Sequence, residues 1–354
     1  MDGTPYPTSI AAPLSGGDDG RDAPGFIADP RPAIQPPPPG IDRRVLRVTL
    51  RSRALGIAKS FYVFVPPPEP HGDSAHPAAT APARCPTLYL LRGHEREWVN
   101  PTEDSSRGDA RTVVDVYLRL HAAGLVGPMI LVFPGVTSED NRMHSAGVNL
   151  RGRALLPDDL PGVGSGRFED YLVREVIPAV DALFPTLANG RRRGVDGFSL
   201  GGFMAAKLAA GHPDLFATVG AYDGTFLYAN ARGTAIRGDD RVYCNRILDP
   251  AFGRPRDGAF AAANNAANLA LRANGGELDG IRWLLQYGAE SLEPWASNYY
   301  RGRYLRDLLL ARGLDVADDA TLPPVLDGGV HDWATADRHM ELTLPLHWAI
   351  LRQR

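Results

Sequence analysis

Lysine is nearly missing from this chain. Of 38 basic residues among 354, only Lys59 and Lys207 are lysine and the rest are arginine. That bias fits the codon usage of a GC-rich genome better than a function. Cysteine is as scarce. Cys85 and Cys244 lie far apart, form no metal-ligand spacing, and read as two buried thiols rather than a disulfide. There is no charge excess of either sign: the formal net charge is −3, which speaks against a nucleic-acid-binding surface. No apolar run approaches the ~18 residues of a membrane span. The N-terminus lacks the basic and apolar regions of a secretory signal. These absences lead us to expect a soluble cytoplasmic protein with no nucleic-acid partner, membrane span, metal or cofactor; its oligomeric state stays open, a homodimer included.

Proline and glycine are abundant, at 31 and 38 residues. They crowd residues 1–40, which end in Gln35-Pro36-Pro37-Pro38-Pro39-Gly40. Such a composition buries too little apolar surface to offset its conformational entropy, so a disordered or polyproline-like tail is predicted there. Residues 41–354 are expected to form the second unit, a single domain. In it, Val45–Ser52 alternates as an edge strand does, with Lys59–Val65 as its antiparallel partner. Thr87–Leu91 and Met129–Phe133 are continuous apolar runs, suited to strands buried on both faces of a parallel sheet. Helical spacing marks Ala110–Ala123, Phe168–Leu183, Ser297–Ala311 and Trp333–Leu351. Further strands are predicted at Ala217–Ala221, Ile281–Gln286 and Pro324–Leu326, with loop and short helices over Gly233–Gly280. Alternating strands and helices imply an α/β fold with a mostly parallel, doubly wound sheet.

Between a strand pattern at 192–196 and a helix pattern at 202–210 stands Gly197-Phe198-Ser199-Leu200-Gly201. G-x-S-x-G in that setting is a nucleophile elbow, in which the flanking glycines let a strained turn close around an exposed serine. A serine needs a base, and the base needs a carboxylate. In this arrangement they follow the serine in the order acid, histidine. His331, in Asp327-Gly328-Gly329-Val330-His331-Asp332-Trp333, sits where a loop can turn back over the sheet edge. His339 and His347 fall inside the last helix as ordinary helix residues. For the acid, Glu290 in the turn after Ile281–Gln286 is preferred and Glu293 is the alternative, although either could instead cap a helix; Asp332 would brace the His331 loop. The oxyanion donors are expected to be the backbone N–H groups of Leu200 and His94. Trp98, Tyr222, Asp223, Trp295 and Trp333 fall in loops at the carboxyl edge of the sheet, as substrate contacts or as packing. Trp98, Tyr222 and Trp333, with Arg92, are the expected substrate-binding set.

The chain resembles the esterase-D branch of the α/β-hydrolases, which includes feruloyl esterases, enterochelin-esterase-like proteins, S-formylglutathione hydrolase and the mycolyltransferases. The likeness rests on Leu88–His94, Phe168–Phe184, Asp196–Gly202 running on to His212-Pro213-Asp214-Leu215-Phe216, and Gly328–Trp333. It implies an α/β-hydrolase fold and a serine carboxylesterase acting on a small-molecule ester through Ser199, His331 and Glu290. It also implies a structural place for His212 at a helix end. The chain departs from the pattern at Arg92, where many members have histidine, and at Gly288-Ala289-Glu290, where the family often has Gly-Thr-x-Asp; Arg92 is therefore expected to meet an anionic or hydroxyl-rich group. Two other readings stand beside hydrolysis: transfer of the acyl group to a sugar or other alcohol, and a catalytically silent binding module.

Overall fold

The computed structural model of the chain describes residues 32–67, 83–226, 245–294 and 296–353. The greater part of the expected tail, and Cys244, fall outside them; Cys85 is buried. Within the tail's last ten residues, Ala33–Gln35 is not loose chain. It forms β1, an exposed edge strand antiparallel to β2 (Val45–Ser52).

β3 (Ile57–Phe64) continues the antiparallel run and joins β5 (Ile130–Phe133). β4 (Thr87–Leu91), β6 (Arg193–Gly197), β7 (Thr218–Tyr222) and β8 (Arg282–Gln286) complete eight strands in the order β1-β2-β3-β5-β4-β6-β7-β8, parallel from β5 to β8. Every residue of β4 to β7 is buried, because helices cover both faces. The strand period of two sorts the side chains: Leu88, Leu90, Leu131 and Phe133 face one core, Tyr89, Leu91, Ile130 and Val132 the other.

The first core packs under α1 (Val113–Ala122) and the C-terminal helix (Trp333–Leu351). The second lies under Phe168–Leu183, α4 (Leu200–Gly211), three short helices between Asp249 and Arg272, and Tyr299–Ala311. We call these last five helices, in chain order, α5 to α7 for Asp249–Phe252, Gly258–Ala263 and Ala266–Arg272, α8 for Tyr299–Ala311 and α9 for Trp333–Leu351.

Two expected elements differ. Phe168–Leu183 is α2 (Phe168–Asp170), a π-turn over Tyr171–Val176 and α3 (Ile177–Leu183), with the Ile177 N–H reaching five residues back to Leu172 O. Pro178 has no N–H to continue the ordinary ladder, which favours the wider turn. Pro324–Leu326 yields a single bridge, Val325 to Tyr287, since consecutive prolines at 323 and 324 remove the donors a ladder needs.

Both lysines are buried clamps on the long segment after β5. Lys59 Nζ donates to Thr137 O (2.6 Å) and Gly162 O (3.1 Å). Lys207 Nζ, on α4, donates to Gly147 O (3.3 Å) and pairs with Glu169 Oε2 (2.5 Å). A compact ammonium with rotatable donors suits scattered carbonyls better than the rigid guanidinium fork does. The lysines that survive the arginine bias therefore sit where arginine fits badly. Among the described residues no helix is long and apolar enough to cross a membrane.

Candidate active site

β6 delivers the chain to Ser199 at the carboxyl edge of the sheet, and α4 begins at the next residue. Ser199 has φ 57° and ψ −119°, a setting that residues with a side chain rarely adopt and that costs roughly 1–3 kcal/mol. The turn closes because its flanks lack side chains. A Cβ on Gly197 would collide with the Gly201 carbonyl, and one on Gly201 with Leu91 O of the neighbouring strand. Ser199 N donates to Tyr222 O (2.9 Å) and Gly201 N to Phe198 O (2.7 Å), pinning the bend. Leu200 is the first helical residue, so its N–H has no acceptor within the helix and joins the positive end of α4.

His331 lies beside this turn, its ring centroid 4.9 Å from that of Phe198. Its Nδ1 meets Asp223 Oδ2 at 2.5 Å, with the carboxylate fully buried and the ring 28% exposed. Nδ1–H therefore donates to Asp223, and Nε2 is the nitrogen available as a base. Asp223 Oδ1 in turn accepts from Gly288 N (3.0 Å) and Asn298 N (2.7 Å), while Asn298 Nδ2 donates to Asp223 O (2.8 Å). The loop carrying His331 is tied by His331 N to Ala296 O (3.0 Å) and by Tyr222 Oη donating to Val330 O (2.6 Å). Asp332 caps the helix that follows, accepting from Thr335 N (2.8 Å). The Ser199 hydroxyl makes no hydrogen bond among the described residues; a serine–imidazole contact commonly tightens only with substrate bound.

The partner of His331 is thus Asp223 and not Glu290. Glu290 stands exposed in a 3-10 turn (Glu290–Leu292). Glu293 accepts from Tyr300 N near the start of α8, a helix-capping role. Asp223 had been legible only as an edge-loop residue. Its signal was an aspartate ending the strand next to the elbow strand, in Tyr222-Asp223-Gly224, where φ of 47° suits aspartate better than most residues.

The loop after β4 also departs from expectation. The His94 N–H, expected to face the oxyanion, donates to Glu97 Oε2 (2.6 Å). This is the reach-back of a capping box, three residues ahead in a tight turn. Arg92 lies over Phe198 (5.2 Å to the ring centroid) and Trp333 (6.0 Å), its Nε 3.8 Å from Glu97 Oε1. Arg92 Nε, Thr137 Oγ1 and His144 Nδ1 are buried without hydrogen-bond partners among the described residues. A Cβ on Gly93 would lie 3.1 Å from Thr137 Cγ2 and 3.5 Å from His144 Nδ1, so these groups gather around that glycine.

The aromatic residues expected as substrate contacts are floor rather than wall. Trp98, Tyr222 and Trp333 are almost wholly buried. Trp98 Nε1 donates to Leu91 O (3.2 Å), and its ring packs edge-on against Trp333 (4.9 Å). Tyr222 stacks on Phe198 (5.7 Å). Their size serves to stiffen the turn and the histidine loop. Trp295 lies outside the described residues. His212 ends α4 as expected, 3.0 Å from Glu169 Oε1. His339 and His347 are not plain helix residues: both are fully buried against Asp196, three residues before the serine.

A family model described as "Putative esterase" matches residues 69–335. No curated protein matches the chain. Among solved structures it is similar to a ferulic acid esterase (TM-score 0.56, 21% identity, 86% of this chain and 98% of that one). It is similar also to an S-formylglutathione hydrolase from Agrobacterium tumefaciens (TM-score 0.57, 17% identity, 87% and 96%). A third likeness is to FphF, the fluorophosphonate-binding serine hydrolase F of Staphylococcus aureus (TM-score 0.53, 17% identity, 86% and 97%). At these identities the likeness is one of fold, the α/β-hydrolase fold.

Proposed function

The chain belongs to the putative esterase family and is an esterase acting on small-molecule esters, and from that premise we propose that it hydrolyses a carboxylic ester through an acyl-serine formed on Ser199. His331 Nε2 takes the Ser199 proton as the oxygen attacks the ester carbonyl. The negative charge of the tetrahedral intermediate falls to the Leu200 N–H at the positive end of α4. Collapse expels the alcohol, which receives the proton from His331. Water then repeats the sequence on the acyl-enzyme and releases the acid. Asp223 fixes the tautomer of His331 and compensates the imidazolium that forms in each half. The observation that carries this reading is the 2.5 Å contact of His331 Nδ1 with buried Asp223, beside a serine held at φ 57°.

Because the His94 amide is committed to Glu97, the proposal assigns one oxyanion donor, Leu200, and leaves His94 as a turn residue. The test is nitrophenyl-ester turnover with trapping of the acyl-enzyme. Ser199→Ala is expected to lose roughly a million-fold in kcat and all trapped adduct. Retention of activity by that variant would end the proposal.

A further inference from the structure

Directly beneath the elbow lies a charged network that the reaction scheme does not use. Asp196, His339 and His347 have no exposed side-chain surface. His339, Thr343 and His347 share one face of α9, spaced four residues apart. Asp196 Oδ1 accepts from Gly197 N (2.6 Å) and His339 Nε2 (3.1 Å); Oδ2 accepts from Thr343 Oγ1 (3.1 Å) and His347 Nε2 (3.0 Å). The sheet makes room for it with glycine. A Cβ on Gly220, next strand over, would collide with the Asp196 carboxylate, and one on Gly194 would lie 3.2 Å from His347 Nδ1.

Hydrogen-bond bookkeeping fixes the protons. Gln286 Nε2 donates to Pro323 O (2.8 Å), so its amide cannot be reversed and its Oε1 faces His339 Nδ1 at 2.8 Å. His339 then meets an acceptor at each ring nitrogen and must carry a proton on both. His347 differs, for its Nδ1 meets the Thr218 hydroxyl (2.6 Å), which can donate; one proton on Nε2 satisfies it. The cluster is one carboxylate, one imidazolium and one neutral imidazole. Tyr222 also lies against it, its ring 5.8 Å from that of His339, and its hydroxyl donates to Val330 O.

We propose that His339 is a positioning residue: held as a buried imidazolium, it neutralises Asp196, and Asp196 through the Gly197 N–H sets the first residue of the Ser199 turn. This rests on the catalytic reading of Ser199. Burial pushes the Asp196 carboxyl up, but His339 first, and then His347, outweigh it by charge and hydrogen bonding and hold that group well below the usual carboxylate range.

The test uses the full chain. Nitrogen-15 spectra of the histidine rings at neutral pH, assigned by ring-to-backbone correlation, are expected to show both His339 nitrogens protonated and one of His347. An unprotonated His339 nitrogen overturns the proposal. His339→Gln is expected to lower kcat at least about tenfold with KM little changed, since a displaced nucleophile and not a lost substrate contact is at fault. The double variant Asp196→Asn/His339→Gln, which buries no charge, should regain part of that loss. A lowered melting temperature with unchanged kcat in His339→Gln overturns the positioning role. Should that variant not fold, Asp196→Asn is read the same way while the ring spectra of the unaltered protein stand. Activity retained in Ser199→Ala sinks the catalytic reading and leaves the ring spectra untouched.

Discussion

Asp223 and Glu290 are both carboxylates following a strand, yet only one of them can direct an imidazole. Asp223 is sealed from water and holds His331 Nδ1 at 2.5 Å, whereas Glu290 faces solvent. Asp223→Asn is expected to cost about four orders of magnitude in kcat, because the amide favours the wrong histidine tautomer. Glu290→Gln is expected to stay within about twofold, as surface changes away from a site do. Steady-state kinetics on the two variants checks both. The turn at Ser199 and the loop of His331 could be read in the sequence, since a glycine-flanked turn and a glycine-led loop are local patterns. The carboxylate that meets His331 could not be chosen there. Which strand end faces the histidine depends on where a loop 108 residues further along comes back to the sheet.

At the scale of elements, the elbow requires β6, β4 and α4 to approach more closely than side chains allow. Gly201→Ala would drive a Cβ into Leu91 O, backbone that cannot move without parting β4 from α4. That variant is expected to give little cooperatively folded protein, whereas Gly40→Ala, with nothing within 4 Å of the new Cβ, should fold normally apart from the strain of its positive φ; circular-dichroism melts compare them. The segment from β5 to α2 depends on the two lysines in a similar way. Lys59→Met leaves two carbonyls without their donor and is expected to cost about 1–3 kcal/mol for each buried group left unmet, read from denaturant midpoints. Strand and helix positions were largely legible from apolar period. The π-turn and the lost strand at Pro324–Leu326 were not, because each is set by what neighbouring backbone can donate.

Across the whole molecule, several buried or half-buried groups bind protons less readily folded than unfolded. Burial pushes His94 down from 6.5 to about 3 and His144 to about 4. For Glu169 burial raises the carboxyl, but His212 and Lys207 outweigh it and bring it from 4.5 down to about 2. A depressed folded value means stability present above the ordinary one and lost as the pH falls toward the folded one. Melting temperature should therefore decline below the ordinary histidine range and fall again in the carboxylate range. His144→Gln should flatten the first limb and Glu169→Gln the second; an acid profile unchanged in both would contradict the burial assigned to them. The buried lysines give a second whole-chain expectation. Amine-reactive esters should modify neither Lys59 nor Lys207 in the folded protein and both after unfolding, as read by peptide mass.

Periodicity and short motifs suffice for the alternating strands and helices, the strained turn at Ser199 and the loop that carries His331, because each is written in residues close along the chain. The partnership of Asp223 with His331, the engagement of the His94 amide by Glu97, and the charge buried among Asp196, His339 and His347 belong to the folded chain alone. They join residues from separate strands, turns and the last helix, or turn a backbone group away from where its motif alone would aim it. Hydrogen-bond geometry and exclusion of water act on distance in space, and spacing in sequence does not encode that distance.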